Sequence, residues 1–277
     1  MLIRSTIAEA HSPVLYVSCM PDSLRAWHPP VPSVREVYRA AFDHAYPPHA
    51  HDGWAVMLVD DGAVSYDLGR ASHIAAPGAV TILPPGISHN GRSAVDGRIY
   101  RKRVVSLDSD WLPEQMAGLS VARPTVRGAA AVSAALRIHS ALAEPVDLLA
   151  AEHWTLAMRQ LILLHLGSGE RRAGDAPLSR RVRALLDERF TESFTIAEVA
   201  AGLGVHPSHL ARSFSQTYGL APHQYVLSRR VDLARRRLLA GAAPASAAAE
   251  AGFFDQAHLT RHFRRILGTT PRAFVSQ

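Results

Sequence analysis

The chain has 277 residues, 48% hydrophobic and 19% charged, a length suited to two domains and a composition that excludes wholesale disorder. It carries 30 Lys+Arg against 24 Asp+Glu, and Lys102 is the single lysine among those cations. The surplus sits at one end: residues 177–277 hold 14 Arg and 7 acidic residues, net +7, whereas the preceding 176 hold 16 basic and 17 acidic, net −1. That asymmetry points to a polyanion-binding module joined to a near-neutral one. Cys19 is the only cysteine, which excludes an intrachain disulfide and a cysteine zinc cluster. The opening MLIRSTIAEAHSPVLYV lacks a cationic start followed by an apolar core, so no signal peptide is expected. The longest apolar stretches are too short to span a bilayer. A soluble cytoplasmic protein with no membrane partner is the expectation.

From about residue 34 to 107 the sequence reads as strands and tight turns. Residues 54–59 (WAVMLV) run into Asp60-Asp61-Gly62, a strand entering a hairpin-type turn. Residues 64–68, 72–75, 80–83 and 100–107 supply further strands, punctuated by Gly69, Pro77-Gly78 and Pro84-Pro85-Gly86. Short strands at this spacing favour a barrel or sandwich over βαβ units.

Two patches in this region carry histidines: Pro47-Pro48-His49-Ala50-His51-Asp52-Gly53-Trp54, and the stretch 78–90, which holds Pro84-Pro85-Gly86 and His89 in the spacing G-x5-P-x-G-x2-H. Alternation along a strand turns His49 and His51 the same way, and barrel closure could bring His89 towards both, a donor set suited to a transition metal. The patches resemble the two cupin motifs. The resemblance implies a metal-binding glutamate near position 55 or 56, where this chain has Ala55 and Val56, so no metal and no cofactor are expected. The expectation is a small-molecule pocket walled by His49, His51, Trp54, Tyr66 and His89, with Arg39 or Arg101 available to an anionic ligand. There is no G-x-S-x-G elbow, no P-loop and no Cys/His pair in a catalytic context, so no enzyme activity is expected. A metal-dependent cupin enzyme fused to a DNA-binding domain is the competing reading.

From 126 to 166 the period becomes helical. Residues 129–142 and 148–166 carry apolar residues at helical spacing, with Leu149, Leu156, Leu163 and Leu166 near one face. These helices either cap the barrel or pair across a two-fold axis in a homodimer. The run 167–179 (GSGERRAGDAPLS) is polar, rich in Gly and charge and without periodicity, as expected of a linker.

The last hundred residues repeat themselves. Leu210, Phe214, Gly219, Pro222 and Tyr225 recur 49 positions later as Leu259, Phe263, Gly268, Pro271 and Phe274, and His209 and Arg212 recur as His258 and Arg261. Upstream the offset is 48, Ala200 matching Ala248 and Gly204 matching Gly252. Each copy reads as helix, Gly-containing turn, helix. Thr195-Ile-Ala-Glu198 has the capping-box pattern, Pro207 suits a first helical turn, and Asp255 is a good N-cap. A long helix over 224–239 separates the copies and carries Arg229, Arg230, Arg235, Arg236 and Arg237. A helix-turn-helix places the start of its second helix in the major groove, and two units on one rigid spacer could enter successive grooves about 34 Å apart. Arginine then serves guanine contact and phosphate neutralisation, and Arg235→Ala should weaken binding to all sequences alike if Arg235 meets only phosphate.

Residues 178–277 resemble the DNA-binding domain of AraC/XylS-type transcriptional regulators. The stretch 252–274 follows that signature, and Arg230-Val-Asp-Leu-Ala234 matches the linker helix. The resemblance implies an α+β two-domain chain: residues 1–125 a cupin-like β-barrel sensor, 126–166 a helical connector and dimerisation element, 167–179 a linker, 180–277 an all-α double helix-turn-helix. It implies that Ser208, Arg212, Gln256 and Arg261 face the bases of double-stranded DNA; His209, Gln216, His258 and Thr260 complete the expected DNA-contacting set. Partners are then promoter DNA, a small-molecule effector, a second copy of the chain and RNA polymerase. Departures from the pattern are His206 where a Ser or Asn cap is usual, Ala221 before Pro222, Ala247 and Val275.

Overall fold

The computed structural model describes residues 23–143, 146–167 and 177–275. Cys19 and most of the expected linker lie outside the described residues. Nine strands come first: β1 (Ser23–Trp27), β2 (Val34–Phe42), β3 (Tyr46–His49), β4 (Trp54–Asp61), β5 (Val64–Leu68), β6 (Ala71–Ala75), β7 (Ala79–Leu83), β8 (His89–Ser93) and β9 (Tyr100–Leu107). The short helix α1 (Met116–Ala122) and strand β10 (Thr125–Arg127) lead into α2 (Ala129–Ala141) and α3 (Leu148–Gly167). The strands form two antiparallel sheets, β1-β2-β9-β4-β7-β10 and β3-β8-β5-β6. The expected barrel is thus a cupin-like sandwich that does not close.

β4 is apolar at every position from Trp54 to Val59 because both of its faces are covered. Trp54, Val56 and Leu58 turn outward onto α2 and α3, joining Val80, Ile82, Val105, Ala134, Ile138, Met158 and Ile162 in one core. Ala55, Met57 and Val59 turn inward to meet Tyr66, Leu68, Tyr100 and Val104. α3 departs from the expected stripe: its buried residues are Ala151, Thr155, Met158, Ile162 and Leu166, while Leu149 and Leu156 are 79% and 64% exposed. Of the expected face Leu166 is buried in the core and Leu163 packs against it half-buried. An apolar residue occurs on almost every side of this helix, so periodicity alone does not select the packed side.

The helical region contains α4 (Pro177–Arg189), α5 (Ile196–Gly202), α6 (Pro207–Tyr218), α7 (Pro222–Leu239), α8 (Pro244–Glu250), α9 (Gln256–Leu267) and α10 (Pro271–Val275). Helix α4 begins at Pro177, three residues inside the expected linker. The Thr195/Glu198 capping box forms both of its hydrogen bonds, at 3.2 and 2.9 Å. His206 caps α6, its Nδ1 accepting from Ser208 N at 3.2 Å, and the Gln224 side chain accepts from Ala221 N at 3.1 Å. Two of the four departures, His206 and Ala221, therefore still have a backbone N–H at the helix start satisfied. The repeat is structural: α6 and α9 each bury a Leu/Phe pair (Leu210/Phe214, Leu259/Phe263) and each ends on a left-handed glycine, Gly219 and Gly268. Gly252 is held by more than its positive φ of 77°, since a Cβ there would lie 2.3 Å from the Thr191 carbonyl oxygen. No described helix is long and apolar enough to cross a membrane.

The sandwich interior and the helical region share a single apolar cluster that runs from Met57, Tyr66 and Tyr100 to Phe214, Tyr225 and Phe263. Across the junction Ser88 N donates to Tyr218 O at 3.1 Å.

Candidate ligand cavity and nucleic-acid interface

The inner faces of the two sheets enclose a cavity of about 70 Å3 that opens towards the helical region. His49 and His51 reach it from and beyond β3, Tyr66 from β5, His89 from β8, and Met57 and Leu83 from β4 and β7. Its other wall belongs to α7, α9 and α10, through Val231, Asp232, Arg235, Ile266, Leu267 and Phe274. The three imidazoles meet, His89 lying 4.4 Å from His49 and 4.8 Å from His51 between ring centres. Each Nδ1 faces a backbone carbonyl: His49 that of Pro47 at 2.9 Å, His51 that of Gly53 at 2.7 Å, His89 that of Ile87 at 3.2 Å. A carbonyl only accepts, so each Nδ1 carries the proton and each Nε2 is left as an acceptor. Burial holds His49 and His51 at about 4 and His89 well below the ordinary imidazole range, so all three are neutral at pH 7. Among the described residues no group of three or more His, Cys, Asp or Glu is arranged to hold a metal ion.

Trp54 does not line this cavity. It sits on the outward face of β4, 1% exposed, with its indole N–H donating to Ser109 O at 3.1 Å. Neither arginine named for an anionic ligand reaches the cavity either: Arg39 lies over the Trp27 ring at 5.8 Å, and Arg101 pairs with Asp61 at 3.7 Å. The cation that the sandwich gives the cavity is Lys102, one residue along β9 from Arg101 and therefore on the opposite face. Strand alternation from the buried Tyr100 was the available signal.

The long helix α7 seats Arg229, Arg235, Arg236 and Arg237 on carboxylates, against the phosphate contact considered for Arg235. Arg235 pairs with the buried Glu36 at 2.7 Å and with Asp232 at 3.1 Å. Asp52, between β3 and β4, receives Arg229 at 2.8 Å, Arg236 at 2.9 Å and Arg35 from β2. Arg229 also meets Asp187 at 2.9 Å, Arg230 donates to Phe190 O and Glu192 O, and Arg237 pairs with Glu250. Burial raises Glu36 to about 7 in spite of the Arg235 guanidinium beside it. The net +7 of this half is thus partly consumed within the molecule.

What remains free faces outward. Ser208, His209, Arg212 and Gln216 are exposed on α6, opposite Leu210 and Phe214. On α9, Gln256 and Arg261 are exposed and line an open groove with Arg264. His258 and Thr260 are half-buried: the His258 ring packs on Phe253 at 5.3 Å, and the Thr260 hydroxyl donates to Gln256 O at 2.8 Å. Phe254, 92% exposed beside the start of α9, had no place in the sequence reading.

Comparison with known proteins agrees with this division. A family model described as AraC-like ligand binding domain matches residues 34–158, and one described as helix-turn-helix domain matches residues 199–277. The chain is 24% identical over 224 residues to the HTH-type transcriptional regulator YbfI of Bacillus subtilis, covering 77% of this chain and 81% of that one. It is 24% identical over 237 residues to the transcriptional activator NphR of a Rhodococcus species, covering 79% and 69%. Among solved structures, ToxT of Vibrio cholerae superposes with a TM-score of 0.61 at 10% identity, covering 92% of this chain and 97% of that one, a likeness of fold.

Proposed function

The chain belongs to the AraC-type transcriptional regulators, DNA-binding proteins with a ligand-binding domain, and we propose from that premise that its effector site is the cavity shared by sandwich and helices. The observation that carries this reading is the double wall: a ligand lying between Met57 and Ile266 touches both halves of the chain at once. A ligand that contacts both halves shifts their relative arrangement by its differential affinity for the two arrangements. DNA is read by the exposed faces of α6 and α9, with Ser208, Arg212, Gln256 and Arg261 towards base edges, His209 and Gln216 beside them, and His258 and Thr260 shaping the start of α9. Arg229, Arg235 and Arg236 of α7 hold the two halves together instead of meeting phosphate.

A homodimer is supported by α2 and α3, where Leu136, Leu148, Leu149, Leu156 and Leu164 are exposed on the surface away from the cavity. The reading places the protein in the cytoplasm, with RNA polymerase as a further partner at the promoter, and it contains no catalytic step. Genome-wide mapping of binding sites, followed by titration of one recovered site with wild type and with Arg212→Ala and Arg261→Ala, tests it. Loss of preference for the recovered site in the variants is expected; equal affinity of wild type for recovered and random DNA would overturn it.

A further inference from the structure

We propose that the cavity takes a short hydroxycarboxylate, its acid group paired with the Lys102 ammonium and its hydroxyl donating to one Nε2 of the His49/His89 pair; this rests on the cavity being the effector site. Lys102 is 9% exposed and points inward from β9. Its ammonium lies 4.6 Å from the ring centre of Tyr46 and 5.9, 5.9 and 5.8 Å from those of Tyr38, Phe42 and Tyr100. Among the described residues no carboxylate pairs with it. The two acids that share the cavity, Glu36 and Asp232, are both held by Arg235. Ring faces compensate a buried cation only in part, so the ammonium is left without a carboxylate of its own among the described residues.

The histidines set the second requirement. With each Nδ1–H committed to a backbone carbonyl, the Nε2 atoms have no partner among the described residues and can only accept. Acceptors beside an anion site select a ligand that carries a donor of its own, and a hydroxyl is the smallest neutral group that supplies one. Size sets the third. A benzene ring occupies an engineered cavity of about 150 Å3, twice the volume here, so the body is a chain of a few carbons lying against Ala55, Met57 and Leu83.

The test is isothermal calorimetry on the full chain at pH 7 with 3-hydroxybutyrate, butyrate, 3-hydroxybutyramide and butane-1,3-diol. 3-Hydroxybutyrate should bind with one site per chain. The amide and the diol, which lack the charge, should bind roughly ten- to hundredfold more weakly, and butyrate, which lacks the hydroxyl, roughly two- to tenfold. Lys102→Met should bind acid and amide alike, and Lys102→Gln serves the same purpose if the Met variant does not melt cooperatively. Acid and amide binding equally to wild type, undiminished acid binding by both variants, or no heat from any of the four compounds would each overturn the proposal. DNA affinity is a separate reading: 3-hydroxybutyrate that binds through Lys102 yet leaves DNA affinity unchanged overturns the effector role and spares the site.

Discussion

Replacing Lys102 by methionine should stabilise the protein at pH 7. Burial lowers this lysine from 10.5 to about 8, and at about 1.4 kcal/mol per pH unit the charged form costs about 3 kcal/mol in the folded chain. The surrounding rings return about 1 kcal/mol, and methionine keeps favourable sulfur–ring contacts, which leaves a gain of about 2 kcal/mol for the variant. The sign with pH follows from linkage: between about 8 and 10.5 the folded lysine has released its proton while the unfolded one retains it. Wild-type stability therefore rises relative to the variant as pH climbs through that window. The groups facing Lys102 are Glu36 and Tyr38 on β2, Tyr46 and His49 on β3, Tyr100 on β9, His51, His89, and Asp232 and Arg235 on α7. They are common to both chains and cancel in the difference. Urea unfolding followed by tryptophan fluorescence suits the measurement, since Trp27, Trp54, Trp111 and Trp154 all lie in the sensor half. A variant less stable than wild type by more than about 1 kcal/mol at pH 7, or a difference that does not shrink from pH 8 to pH 10, would refute the picture of an unpaired buried ammonium.

Asp52→Asn should loosen the junction between the halves, because Arg229, Arg236 and Arg35 lose their shared carboxylate; with these side chains partly solvated and Arg229 retaining Asp187, the cost is about 2 kcal/mol. Hydrogen exchange at the Ser88 amide, which donates across the junction to Tyr218 O, should then speed up by roughly tenfold or more, and unchanged exchange would count against the ion-pair account. On DNA, Arg212→Ala or Arg261→Ala should each cost about 1–3 kcal/mol on the specific site and relax choice at one base pair. Arg235→Ala, whose partner is Glu36, should leave the slope of log affinity against log salt as it is; a slope reduced by about one would return Arg235 to the phosphate set. Gly252→Ala should destabilise the second helix-turn-helix by about 2–3 kcal/mol, combining positive φ with a clash on the Thr191 carbonyl, and a melting temperature equal to wild type contradicts that packing.

Features written in local chemistry were legible in the sequence. The capping box at Thr195, the Asp255 cap and the 49-residue repeat depend on residues near one another in the chain, and the structure places them as read. The histidine patches met because two motif segments lie on adjacent strands, His49 opposite His89. The misreadings share a cause in packing between distant segments. Trp54, expected in the pocket wall, lies outside it because β4 has two buried faces and α2 and α3 claim the outer one. The ion pairs of Arg235 and Arg236 are not legible in the sequence, because Glu36 and Asp52 lie across a junction nearly 200 positions away. Lys102 was passed over among its arginine neighbours, although alternation from Tyr100 turns it inward and Arg101 and Arg103 outward to Asp61 and Asp60.

The account stands on coupling between the shared cavity and the DNA-reading helices. The direct measurement is the dissociation constant of the full chain for a genomically recovered DNA site, without ligand and with 3-hydroxybutyrate at a concentration that calorimetry shows to be saturating. The account predicts a change of roughly fivefold or more, mirrored by an equal change in ligand affinity when DNA is bound first. An identical DNA affinity with the cavity occupied would contradict it.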